Sequence, residues 1–168
     1  LSENYVFYEV YVEGVEGPRY LCVKNDESII TSNPASIESC SKILGLIPYE
    51  RVIDYIDLLE GRTKKTLGVL IEDPSTGIYR GFLLGENTPI CLQEVQGSYI
   101  FIQSKEGFSV KPGDLLGYTV SDKLETRKIK SNCEGLIVFI IDQPWEEPRK
   151  TLVVVASEYR SITARKNP

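Results

Sequence analysis

Apolar and polar positions alternate with a period of two from Tyr5 to Glu13, placing Val6, Tyr8, Val10 and Val12 on one face and Phe7, Glu9, Tyr11 and Glu13 on the other. That is strand periodicity, with aromatic residues on both faces. Gly14-Val-Glu-Gly17-Pro18 supplies a turn, and Arg19 to Lys24 reads as the returning strand of a β-hairpin. The spacing then lengthens. Asn33-Pro34 reads as an N-cap with proline at the first helical position, where its missing N–H costs nothing, and Ile37, Cys40 and Leu44 follow on one helical face before Gly45. Pro48 opens a second predicted helix, with Val52, Tyr55, Ile56 and Leu59 at offsets of three, four and seven and Gly61 as its stop. Lys65 to Glu72 and Ile78 to Leu84 read as strands across Asp73-Pro-Ser-Thr-Gly77, a turn with proline early and glycine late.

Gly85-Glu-Asn-Thr-Pro89 is a polar break, and beyond it the helical spacing ends. Short strands separated by Gly and Pro turns take over, as in a small β-barrel or sandwich. The expected organisation is a small α+β domain over residues 1–87, an all-β domain over 88–157 and a C-terminal strand or tail over 158–168. Shifting the chain by 38 places lays Gln96-Gly97-Ser-Tyr-Ile-Phe-Ile-Gln103 over Glu134-Gly135-Leu-Ile-Val-Phe-Ile-Ile141. A repeat of that size predicts two quasi-equivalent hairpin layers sharing one core, because neither half buries enough by itself. Lys111-Pro112-Gly113-Asp114 suits a type II turn, with proline presetting φ and glycine accepting positive φ.

The Gly97 strand, the Gly107 turn, Val110-Lys-Pro-Gly-Asp114 and the hairpin Ser121-Asp122-Lys123 come in the order of the biotinyl/lipoyl attachment domain, which this half resembles. The resemblance implies a barrel-sandwich hybrid fold and places Lys123 where that family carries its prosthetic group. Ser-Asp-Lys is closer to the lipoyl hairpin than to the biotin hairpin, and lipoate or biotin is the cofactor implied. A carrier of this kind works by position, since a rigid barrel presents one ε-amine on an exposed tight turn and the attached group supplies the chemistry. Two departures stand out: Lys123 to Gly135 is one residue longer than the family's usual spacing, and Gln143-Pro-Trp145-Glu-Glu-Pro148 replaces the second Val-Lys-x-Gly-Asp turn. An extra strand residue reverses side-chain facing unless a bulge absorbs it. The chain as a whole resembles an uncharacterised archaeal protein family pairing a small N-terminal part with such a domain.

The net charge of −5 offers no basic excess for a phosphate backbone, so nucleic acid is not an expected partner. The longest apolar runs are strand-length, which removes a membrane-spanning expectation, and no secretion signal opens the chain; the expected location is the cytoplasm. Cys22, Cys40, Cys91 and Cys133 are scattered without a Cys-x-x-Cys spacing and read as small buried hydrophobes in a reducing compartment. The absence of histidine excludes imidazole-based triads, proton shuttles and histidine-ligated metals.

Candidate residues have competing readings. Lys123 is either a lipoyl or biotinyl acceptor or an ordinary solvated lysine, while Lys128 and Lys130 sit along a strand and face solvent. Asp54, Asp57 and Glu60 recur at offsets of three on the second predicted helix and read as its solvated side rather than a metal site. Trp145 either anchors a partner or caps the barrel core, and Tyr5, Tyr8, Tyr11 and Tyr20 are explained by a stack within the first sheet as well as by a ligand site. No catalytic or metal residue is expected. The functional expectation is a non-catalytic binding or assembly module with a protein partner. The alternative is a carrier acylated on Lys123, whereas an enzyme has no nucleotide loop, triad or metal cluster to support it.

Overall fold

The computed structural model describes residues 8–167, so the expectations for Tyr5, Val6, Phe7 and Pro168 lie outside the described residues. The chain runs β1 (Tyr8–Glu13), β2 (Tyr20–Val23), β3 (Ser28–Thr31), β4 (Lys42–Ile47), β5 (Ile56–Asp57), β6 (Arg62–Thr63), β7 (Leu67–Glu72) and β8 (Tyr79–Leu84). It continues with β9 (Cys91–Gln96), β10 (Tyr99–Ile102), β11 (Ser109–Val110), β12 (Leu115–Val120), β13 (Thr126–Lys130), β14 (Gly135–Gln143), β15 (Lys150–Ala156) and β16 (Arg160–Lys166). Two compact units result: Leu1–Asp57, Thr63–Thr88 and Tyr159–Pro168 form the first, and Leu58–Arg62 with Pro89–Glu158 the second.

The first unit is a closed barrel of seven strands in the order β1-β4-β2-β3-β16-β8-β7, with β1 and β7 closing the ring. The α+β expectation for the N-terminal part is therefore overturned. Where the first helix was predicted, Pro34–Ser36 makes a single 3-10 turn and Lys42–Ile47 is a strand paired on both sides, to β1 and to β2. Gly45 was expected to end that helix. Instead it lies inside β4, where a Cβ would meet the Val15 carbonyl oxygen at 1.9 Å, so glycine permits a close backbone approach. The second predicted helix is the 3-10 segment Tyr49–Tyr55, in which only Val52 is buried, followed directly by β5. Spacings of three and four satisfied the helical template, but two neighbouring strands supply more backbone partners than an isolated short helix retains.

The barrel core holds Tyr11, Leu21, Leu44, Leu70, Tyr79 and Ile162, fed from strands all round the ring. The last strand is indispensable to the closure. β16 runs parallel to β3 and antiparallel to β8, so residues from the far end of the sequence fill the gap left between them. The turn before β8 is as its residues suggest: Gly77 has φ +70°, and Asp73 Oδ1 accepts hydrogen bonds from the Ser75 amide and hydroxyl.

The second unit has one sheet ordered β10-β12-β13 and another ordered β11-β14-β15-β9. Val95, Leu116, Ile137 and Val153 build its core, with Ile100, Ile102 and Ile129 packed against them. At Lys111-Pro-Gly-Asp114 the Asp114 amide donates to the Lys111 carbonyl over 3.0 Å and Gly113 takes φ +95°, the signature of a type II turn.

The cysteines overturn a second expectation. Cys22 is joined to Cys40 in the first unit and Cys91 to Cys133 in the second, with Cα–Cα separations of 5.2 and 5.9 Å, inside the range that a disulfide spans. None of the four is a free thiol. Scattered spacing carries no information about such pairs, because the fold and not the local chain brings them together. No helix among the described residues is long and apolar enough to cross a membrane.

Candidate functional site

The β12–β13 hairpin carries Lys123 at its tip. The Ser121 amide donates to the Glu125 carbonyl over 2.9 Å, and the Leu124 amide donates to the Ser121 carbonyl over 2.9 Å. Asp122, Lys123 and Leu124 are thus a three-residue loop in which Asp122 and Lys123 occupy the two central positions of the turn. Leu124 follows at φ +62°, a left-handed conformation that a leucine rarely adopts, and this bulge-like residue lengthens the tip. From Val120↔Thr126 to Gly117↔Ile129 the register then runs without a break, and it shifts only at Leu116. The additional residue therefore does not reverse the facing of β13. All three tip residues are exposed, and Leu124 is 78% exposed.

Beside this hairpin lies an open cleft of about 300 Å³ bounded by Gln96, Gly97, Ser98, Ser121, Arg127 and Pro148. Ser121 is at once the closing residue of the Lys123 loop and a wall of the cleft. A Cβ at Gly97, on the opposite wall, would stand 3.1 Å from Cβ of Thr119, a tight approach. The side chains offer hydroxyls, an amide, the Arg127 guanidinium and the Glu125 carboxylate, a lining suited to hydrogen bonding with an extended polar chain. Gly97 and Ser121 belong to motifs visible in the sequence. Arg127 and Pro148 do not, and only strand register and the β14–β15 connection bring them here.

The outer face of the three-stranded sheet is apolar and aromatic along β10 and β12 and polar along β13. Register places Tyr99, Val120 and Thr126 in one row and Phe101, Tyr118 and Lys128 in the next. Tyr99 is 52% and Phe101 59% exposed, while Ile100 and Ile102 point into the core. Lys128 and Lys130 lie on β13 and are exposed. Trp145, on the connection between β14 and β15, is 66% exposed, so it does not cap the core.

The other polar cluster lies in the barrel unit. Tyr11 is fully buried, its hydroxyl donates to Glu9 Oε2 over 2.5 Å, and Arg19 Nη2 donates to Glu9 Oε1. Burial, reinforced by the Glu9 hydrogen bond, holds the Tyr11 phenol far above its ordinary range. Glu9 and Arg19 form an ion pair, so each of these two charges has an opposite partner. In this unit the rings of Phe82 and Tyr159 lie 5.5 Å apart and edge-on. Of the acidic trio, Asp54 lies 3.7 Å from Arg51, and no group of three potential ligands that could hold a metal ion occurs among the described residues.

A search of the curated proteins found no match. A family described as "Uncharacterized protein conserved in archaea (DUF2118)" matches residues 5–158, and with that share of its length covered the chain belongs to this archaeal family.

Proposed function

We propose that this chain is a non-catalytic binding or assembly module whose second unit, a biotinyl/lipoyl-like barrel-sandwich domain, docks a protein partner with Lys123 left unmodified. The observation that carries the reading is where the large apolar side chains are exposed. Among the described residues, seven of the nine exposed large hydrophobics belong to the second unit, including Tyr99, Phe101, Leu124 and Trp145. Exposed apolar groups gathered on one unit mark interaction surfaces, and aromatic anchors dominate such contacts. Strand order, the internal repeat and the glycine turns support the barrel-sandwich likeness. The lengthened tip at Leu124 favours an unmodified lysine, because a ligase that measures a tight hairpin meets a displaced amine.

A second reading retains Lys123 as a lipoyl or biotinyl acceptor, favoured by its exposed central position in the hairpin turn. In either case the partner is a protein rather than nucleic acid or a membrane, in keeping with the acidic charge. We place the chain in the cytoplasm. Two disulfides mark an oxidising compartment in most organisms, and intracellular proteins of hyperthermophiles are the exception that this placement invokes.

The test uses protein from its native source. Intact mass with peptide mapping is expected to give an unmodified Lys123, and a photo-crosslinker at position 124 is expected to capture a different protein where one at position 80, on the barrel unit, does not. A lipoyl or biotinyl increment on Lys123 would replace the first reading with the second. Equal capture from both positions would remove the docking role of the hairpin.

A further inference from the structure

Each sheet of the second unit contains one strand of the internal repeat, β10 or β14, yet their edges are treated differently. In β14 the Ile137 amide donates to the Phe108 carbonyl and the Ile137 carbonyl accepts from the Gly107 amide, so the segment around β11 covers that side of the strand. In β10 it is Ile100 that packs against the core cluster containing Ile137. The Gln103 amide donates to the Leu116 carbonyl, in the same register as Tyr99↔Val120 and Phe101↔Tyr118. By the alternation of an antiparallel ladder, the main-chain groups of Tyr99 and Phe101 face β12 and those of Ile100 and Ile102 face away from it. On that side β10 has no neighbouring strand among the described residues. β10 is thus an edge strand, with an empty position beside the main-chain groups of Ile100 and Ile102.

Unpaired edges are normally guarded by charge. β13, the other edge of this sheet, carries Arg127, Lys128 and Lys130, and its end is closed by the Gln93 amide donating to the Lys130 carbonyl over 2.8 Å. β10 has no such guard: from Val95 to Ser104 the chain bears no charge, and its outward side chains are Tyr99 and Phe101. An uncharged strand with alternating aliphatic and aromatic faces is complementary to itself in the antiparallel sense, whereas a copy of β13 would set lysines against lysines.

We propose that a second copy of this chain fills the empty position by laying its β10 antiparallel on this one, about a twofold axis through Phe101. Ile100 and Ile102 of the two copies then exchange main-chain hydrogen bonds on either side of the axis, and the two Phe101 rings meet across it. The open edges disappear into one continuous six-strand sheet. This deepens the assembly reading by naming a partner, yet it stands or falls separately, because that reading rests on capture of a different protein at the hairpin.

The experiment is light scattering on the size-fractionated full chain, disulfides intact, over a wide range of concentration. Wild type is expected to show twice the chain mass, falling to the chain mass on dilution. Phe101→Lys and Phe101→Glu are each expected to be monomeric with unchanged circular dichroism, and an equimolar mixture of the two is expected to recover the doubled mass. Phe108→Lys, exposed but off the strand, keeps the dimer. A wild-type chain that is monomeric throughout overturns the proposal, whether or not the variants fold, and assigns the edge to a foreign strand or to none. A doubled mass that survives Phe101→Lys overturns it equally.

Discussion

Breaking the Cys91–Cys133 bridge should weaken the second unit more than breaking Cys22–Cys40 weakens the first. The bridges close loops with sequence separations of 42 and 18 residues. In the chain-entropy relation these correspond to about 4 and about 3 kcal/mol at 25 °C, most of a small domain's net stability. The Cys91 bridge also sits beside a second fastening between the same segments: Gln93 accepts from the Asn132 amide over 2.9 Å and donates to the Lys130 carbonyl. Those hydrogen bonds form only if β9 stays close to the chain after β13. Guanidinium unfolding followed by far-UV circular dichroism, with and without reductant, measures the crosslink while keeping every sulfur in place. The double variants Cys91→Ala/Cys133→Ala and Cys22→Ala/Cys40→Ala assign each transition to its unit. Expected are two transitions, each moved to lower denaturant by loss of its own bridge, the second unit's by more. Four titratable thiols in protein denatured without reductant, or midpoints that reductant does not move, would refute the reasoning.

Alkaline pH tests the barrel core. An unfolded tyrosine releases its proton at about pH 10 whereas buried Tyr11 keeps it, so above that pH the folded state binds more protons and stability falls as pH rises, by up to about 1.4 kcal/mol per pH unit. Tyr11→Phe should remove that share of the slope in thermal melts between neutral and alkaline pH; an unchanged slope would show that Tyr11 ionises in the folded state. Gln93→Leu leaves the Asn132 amide and the Lys130 carbonyl without their partner and should cost about 2 kcal/mol in denaturant unfolding, while Glu94→Gln, an exposed position on the same strand, should cost almost nothing. Leu124→Gly relieves a left-handed leucine and should raise stability by about 1 kcal/mol in denaturant unfolding; a loss of stability would mean that the Leu124 side chain packs in a way its exposure does not indicate.

Turn chemistry was legible because it is local. Gly113 and Gly77 take the positive φ that their positions demanded, and Ser121-Asp-Lys123 forms a hairpin tip, since a few residues decide those conformations by their own sterics. Strands such as β1 and β8 were readable from their residue types and the turns that bound them. The candidate site was half visible: the lysine hairpin follows from spacing, but the cleft joins Gln96 to Arg127 and Pro148, residues with no shared pattern.

What the sequence determined by itself, then, is where the chain turns, which stretches alternate, and that no histidine chemistry is available. Tertiary structure decided the rest. Lys42–Ile47 carries a spacing that suits a helix or a strand, and pairing with β1 and β2 selected the strand. β16 closes the barrel only because β3 and β8 leave it a gap, and four scattered cysteines became two bridges only because folding set their Cα atoms within 6 Å. In each case the choice rests on hydrogen bonds or contacts between residues far apart in the chain, which local propensity and periodicity do not encode.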